Sequence, residues 1–140
     1  MKRKLKWIIP LLLIIFFIFG CAQIKEMEKF LPLKVHIEIK SHIISPQVAK
    51  PGDKIKQEIH FILSSSVKKE LSLKESVVVE GKGIKIVLLK RTTQKLPGEH
   101  ISLVEFIIPE DLPSGEYYLI TTFVVENIEK TIKGKIYVRR

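Results

Sequence analysis

Apolar and polar residues alternate with a period of two from Leu33 to the end of the chain, and before that point they do not. A period of two places successive side chains on opposite faces of a strand, so the alternation predicts half-buried β-strands. The first covers 34–44 (KVHIEIKSHII), with Val35, Ile37 and Ile39 on one face and His36, Glu38 and Lys40 on the other. A connection carrying Pro46, Pro51, Gly52 and Asp53 leads to a second strand at 55–63, with Ile55, Ile59, Phe61 and Leu63 on one face. Pairing these two antiparallel so that residue numbers sum to 98 sets Val35 against Leu63 and Ile37 against Phe61. On the polar face the same register sets Lys40 against Glu58 and Glu38 against His60.

The stretch 64–76 (SSSVKKELSLKES) is polar and weakly patterned, and predicts a loop with one short edge strand. Residues 77–80 and 84–90 predict a hairpin about Gly81-Lys82-Gly83. A long connection over 91–99, a strand at 101–108, a corner at 109–115 and a strand at 116–126 follow. A four-residue turn, 127–130, leads to a last strand at 131–139. A register summing to 257 would set Phe123 against Gly134. Seven or eight short strands without a long helix predict an all-β antiparallel sandwich.

Residues 1–33 follow another pattern. Lys2, Arg3, Lys4 and Lys6 precede an apolar run, 7–19 (WIIPLLLIIFFIF), interrupted by Pro10, then Gly20 and Cys21. A bilayer span needs about 20 apolar residues. This run is shorter, contains Pro10, and has the basic start, short apolar centre and small-residue end of an export signal. Its end, Ile18-Phe19-Gly20-Cys21, resembles the lipobox of bacterial lipoproteins in Ile18, Gly20 and Cys21, while Phe19 is bulkier than the usual residue. The resemblance implies a signal peptide at 1–20. It also implies a diacylglyceryl group and further acyl chains such as palmitate on Cys21, which becomes the new N-terminus. Two or more chains hold a protein stably on a membrane where one gives about 10⁴ M⁻¹. Ala22, in place of the Asp that the family uses for inner-membrane retention, implies the outer membrane of a two-membrane cell. In a cell with one membrane, the domain would lie on that membrane's outer face.

Residues 21–33 are then the lipidated Cys and a short tether, and 34–140 one domain. Ile24, Met27 and Leu31 allow a brief helix before Pro32, but a helix so short is marginal in water and a plain linker is favoured. Fully extended, twelve residues reach about 40 Å, so the domain works close to the membrane.

A second resemblance lies at 108–119 (IPEDLPSGEYYL). Gly115, Glu116 and Tyr117 are similar to the E–F corner of immunoglobulin-like domains. That likeness implies a corner tyrosine, Tyr117, whose hydroxyl bonds back to the loop. Pro51-Gly52-Asp53 is similar to bacterial extracytoplasmic Ig-like domains. Leu119 stands where antibody-type domains place their second Cys, and the sole Trp, Trp7, lies in the leader. The implied fold is an immunoglobulin-like antiparallel β-sandwich.

Composition narrows the function. The chain carries 24 Lys+Arg against 15 Asp+Glu; without the four basic residues of the leader a net +5 remains. That is too diffuse for nucleic acid and compatible with an anionic envelope surface. The single Cys leaves no disulfide. His36, His42, His60 and His100 supply no spacing that converges three or four ligands, so no metal and no cofactor is expected. Ser64-Ser65-Ser66 has no base beside it, and Glu110-Asp111 sits on a turn. No catalytic residue is assigned and no enzyme is expected.

The remaining candidate surface is the last strand, with Lys133, Lys135 and Arg139, its aromatic Tyr137, and Tyr118 on the neighbouring strand. Lysines there also serve to block edge-to-edge aggregation, which is the simpler account. These features predict a membrane-anchored, non-catalytic envelope lipoprotein that binds or assembles with another envelope protein. The alternative is a ligand-binding or inhibitory module for a glycan, peptide or protease.

High Lys and Glu with one Asn and one Cys is also the composition of heat-adapted proteins. The expected calorimetric Tm is above about 60 °C, beyond most mesophile domains; a lower midpoint would remove that expectation.

Overall fold

The alternation becomes eight strands in the computed structural model, which describes residues 33–140. Their bounds are β1 Val35–Ser45, β2 Val48–Ala49, β3 Lys54–Ser65, β4 Leu71–Gly81, β5 Ile84–Lys95, β6 Gly98–Ile107, β7 Gly115–Val125 and β8 Ile128–Val138. One sheet has the order β1-β3-β6 and the other β2-β8-β7-β4-β5. All neighbours are antiparallel except the short β2, which runs parallel to the end of β8. Cys21, the expected signal peptide and the expected tether as far as residue 32 lie outside the described residues.

In β3 and β7 the inward faces are those the alternation marks. Ile55, Ile59, Phe61 and Leu63 of β3 are buried, as are Tyr117, Leu119, Phe123 and Val125 of β7. Phe61 and Phe123 meet across the sandwich at a ring-centroid distance of 4.8 Å. Burying each such side chain contributes about 1.5–3 kcal/mol, which makes this interface the main source of stability.

Four expectations are corrected. The polar stretch 64–76 contains most of β4, which is a long central strand paired to both β5 and β7. Its signal was masked because Glu75 occupies an inward position between buried Leu73 and Val77. That carboxylate is satisfied by Arg91 Nε at 2.8 Å and by the Ser102 hydroxyl. The expected connection over 91–99 is mostly strand, because Arg91 reaches inward to Glu75 and β5 therefore continues to Lys95.

The β1–β3 register sums to 100, so Ile37 faces Leu63 and Ile39 faces Phe61. A bulge then falls at Lys40 and turns the face over, putting His42 and Ile44 inward and leaving Ile43 exposed. A bulge adds one residue to one strand only, which no strict alternation anticipates. The expected Lys40–Glu58 and Glu38–His60 pairs give way to same-strand pairs, Lys40–Glu38 at 3.1 Å and His60–Glu58 at 2.6 Å.

The β7–β8 turn is Glu126-Asn127, with Glu126 in the left-handed region at φ 53°. This tighter turn slides β8 by four residues, so Gly134 lies opposite Leu119 and Phe123 opposite Lys130. The space above Gly134 is filled from the other sheet by Ile44 and His42. A Cβ at Gly134 would overlap Ile44 Cδ1 and lie 2.7 Å from His42 Cε1. Gly134→Ala is therefore expected to destabilise by about 1–3 kcal/mol through overpacking. A denaturant titration of the variant, with the midpoint lowered and the slope unchanged, is the check.

Candidate functional site

The exposed face of the five-stranded sheet carries the candidate residues of β7 and β8. In strands β7 and β8 the outward positions pair as Glu116 with Tyr137 and Tyr118 with Lys135. These four residues form two adjacent cross-strand rows, close enough for every diagonal contact. Lys135 Nζ lies 2.8 Å from Glu116 Oε1. The Tyr137 hydroxyl donates to Glu116 Oε2 at 3.0 Å, and the Tyr118 hydroxyl to Oε1 at 3.3 Å. Lys135 Nζ also stands 5.9 Å from the Tyr118 ring centroid, within cation–π range. Tyr118 and Tyr137 remain 41% and 45% exposed, so both rings are held by one carboxylate and still open to solvent.

The electrostatics follow from the geometry. The hydrogen bond from Lys135, then that from Tyr137, hold the Glu116 carboxyl below its ordinary value of 4.5. The same carboxylate raises the Lys135 ammonium above its ordinary value of 10.5. Glu116 neutralises Lys135, so this end of the sheet is an aromatic, polar patch and less basic than a row of lysines implies.

The fold beneath fixes the patch. Tyr117, one residue from Glu116 and on the opposite face, is fully buried and donates its hydroxyl to the Pro113 carbonyl at 2.6 Å. Its burial raises its pKa. This is the corner bond that the Gly115-Glu116-Tyr117 resemblance implied. Gly115 sits at φ 149°, and the Lys82 chain lies against the place where a Cβ would project. Lys82 donates to the Ser114 carbonyl, tying the β4–β5 turn to the start of β7.

The other expected residues are placed as follows. Lys133 shares the outward face of β8 but lies opposite Ile120, at the margin of the patch. There it lines a depression of ≈ 410 Å³ with Lys82, Lys85, Glu80, Tyr118 and Ile120. Arg139 is exposed beyond the end of β8, and its amide donates to the Ala49 carbonyl at 2.9 Å. Tyr118, Lys135 and Tyr137 are thus brought together, with Lys133 and Arg139 on either side. Glu116, the hub, was missed as a site residue; its place two residues before Tyr118 put it on the same face and was the signal available.

The histidines are dispersed. His36 is exposed, His60 pairs with Glu58, His100 Nε2 meets the Leu96 carbonyl at 2.5 Å, and His42 points inward. Among the described residues no group of three His, Cys, Asp or Glu side chains converges to hold a metal ion.

No protein-family model and no curated protein matches the chain. Solved structures do, at the level of the fold. A Niemann-Pick type C2 protein from Japanese carpenter ant is 13% identical with a TM-score of 0.55, covering 77% of this chain and 96% of that one. The CARDB domain of the PF1109 protein from Pyrococcus furiosus, solved with di-metal ions, is 17% identical with a TM-score of 0.52, covering 76% and 93%. The sporulation control protein Spo0M from Bacillus subtilis is 18% identical with a TM-score of 0.50 over 77% of this chain. The chain spans about half, 49%, of Spo0M. Together with the two-sheet topology, these likenesses show an immunoglobulin-like β-sandwich of eight strands. Such a sandwich hosts many unrelated functions, so the class goes no further than the fold.

A carbon-detected NMR titration is expected to find the Glu116 carboxyl midpoint below 4.5, and to find it raised by Tyr137→Phe. A group whose folded pKa is depressed adds stability above its unfolded value and loses it as pH falls through the folded one. The contribution of Glu116 should therefore disappear only in the acid range below 4.5.

Proposed function

We propose that this chain is a lipid-anchored, extracytoplasmic, non-catalytic binding module of the cell envelope. Cys21 carries the acyl anchor, and the Ig-like domain contacts another envelope protein through Tyr118, Lys135 and Tyr137, flanked by Lys133 and Arg139. It lies on the outer membrane where the cell has two membranes, and otherwise on the outer face of the cell membrane.

One observation carries the binding surface. Two exposed tyrosine rings and a lysine are already held together by Glu116 before any partner arrives. Tyrosine supplies large contact area at low entropic cost and is enriched where interfaces concentrate their energy. The neutralised Lys135 favours a protein contact over plain attraction to anionic headgroups, which needs unpaired positive charge. The anchor rests on the leader pattern and the lipobox resemblance at 18–21. A second reading, a small-ligand module, draws on the ≈ 410 Å³ depression beside the patch, where Lys82, Lys85 and Lys133 surround Tyr118 and Ile120.

Two experiments test this in cells. Metabolic labelling with an alkyne fatty acid should mark the protein and fail for Cys21→Ser; labelling of the variant would refute the anchor. Photo-crosslinking from the Lys133 position should capture one dominant envelope protein. Tyr118→Ala with Tyr137→Ala should cut that capture at least about tenfold, as expected for residues worth about 2 kcal/mol or more. Capture of a glycan or lipid alone would favour the ligand reading.

A further inference from the structure

We propose that the open edge of β6 accepts an extended segment of a partner protein, adding a strand to the three-stranded sheet. The segment alternates aliphatic residues with flanking lysine or arginine. This surface is separate from the tyrosine patch and rests on different observations.

An edge strand exposes unpaired backbone donors and acceptors, and proteins blunt such edges with lysines, bulges or very short strands. The other edges here follow that habit. β5 carries Lys85, Lys90 and Lys95, and its pairing with β4 is bulged. β1 carries the Lys40 bulge. β8 is covered at its end by the two-residue β2 and bears Lys130, Lys133 and Lys135 along the rest.

β6 departs from it. It pairs only with β3, forms a regular ten-residue ladder without a bulge, and contains no lysine or arginine. Its outward side chains read Glu99, Ile101, Leu103, Glu105, Ile107, and the three aliphatic ones are 58%, 47% and 61% exposed. A long, regular, apolar edge left open in this way suits strand addition, in which the backbone supplies affinity and alternate side chains supply selectivity.

Charge selects the occupant. A second copy would pair β6 with β6 antiparallel about a two-fold axis. In every such register centred between residues 101 and 105 that keeps the outward faces together, a glutamate lands opposite or diagonal to a glutamate of the other copy. Like charges so placed are destabilising. Glu105 already has Lys54 at 3.5 Å, whereas Glu99 has no ion pair among the described residues. An incoming antiparallel segment is matched when aliphatic residues face Ile107, Leu103 and Ile101 and basic ones face Glu105 and Glu99.

The probe is the synthetic peptide Val-Thr-Lys-Thr-Val-Thr-Val-Thr-Lys, added to the full chain in detergent micelles. Fluorescence anisotropy reads affinity, and hydrogen exchange with mass spectrometry reads location. Binding should slow exchange within 98–107 by about tenfold or more at saturation. Replacing both peptide lysines by glutamate should weaken binding about tenfold, from two cross-strand pairs turned repulsive. Ile101→Lys with Leu103→Lys should abolish binding while leaving the melting curve in place, since both side chains are exposed. The proposal is overturned by unchanged exchange at 98–107, by equal affinity for the two peptides, or by peptide-free self-association that protects 98–107. Because the effect is read at β6 alone, its absence would leave the tyrosine-face contact standing.

Discussion

One fully buried amide governs how the two sheets meet. Gln57 of β3 is 0% exposed; its Nε2 donates to Thr121 Oγ1 of β7 at 2.8 Å, and its Oε1 lies 3.0 Å from His42 Nε2 of β1. A buried amide left without partners costs about 1–3 kcal/mol, so this bond tolerates little sliding between the sheets. His42 reaches Gln57 only because the Lys40 bulge turns that part of β1 inward. The imidazole and Ile44 then occupy the space above Gly134, which suits the one residue of β8 that lacks a side chain. The position of Gly134 is the position of β8, and β8 in this register sets Lys135 against Tyr118 and Tyr137 against Glu116. A chain of steric and hydrogen-bonding constraints thus runs from the core to the exposed patch.

A second polar bridge closes the opposite side of the sandwich. Glu75 of β4 is nearly buried and meets both Arg91 of β5 and Ser102 of β6. Its carboxylate therefore joins the edge strands of the two sheets without an inter-sheet disulfide. Buried charges persist when they are paired and hydrogen-bonded, and Glu75 satisfies both conditions. Under a hairpin or sandwich alternation, its charge looks like a solvent position. Its actual place explains why an apparently polar stretch belongs to a central strand.

The two outward faces differ in character. On the five-stranded sheet, Glu116 gathers its cation and two phenols into one small preorganised cluster. On the three-stranded sheet, aliphatic side chains stand along an edge that no lysine guards. In the lipid-anchored form proposed above, both faces would work close to a membrane, where confinement to a small volume makes even weak contacts effective.

The corner at Tyr117 was implied by the resemblance of Gly115-Glu116-Tyr117 to immunoglobulin-like domains, whereas alternation alone determined the strand class, the inward faces of β3 and β7 and the shared face of Tyr118, Lys133, Lys135 and Tyr137. Those properties depend only on parity, and shifts of two or four residues preserve it. The leader pattern, being local, also determined the expectation of an anchor at Cys21. Register, by contrast, was decided by tertiary structure: the Lys40 bulge and the Glu126-Asn127 turn move partners by whole residues, and the space above Gly134 is filled by Ile44 and His42 of the other sheet. The role of Glu116 needed that register, because a carboxylate becomes a hub only when Lys135 and Tyr137 stand within hydrogen-bond reach. The central place of β4 needed the other sheet, since only Arg91 and Ser102, brought from distant strands, make an inward Glu75 tolerable.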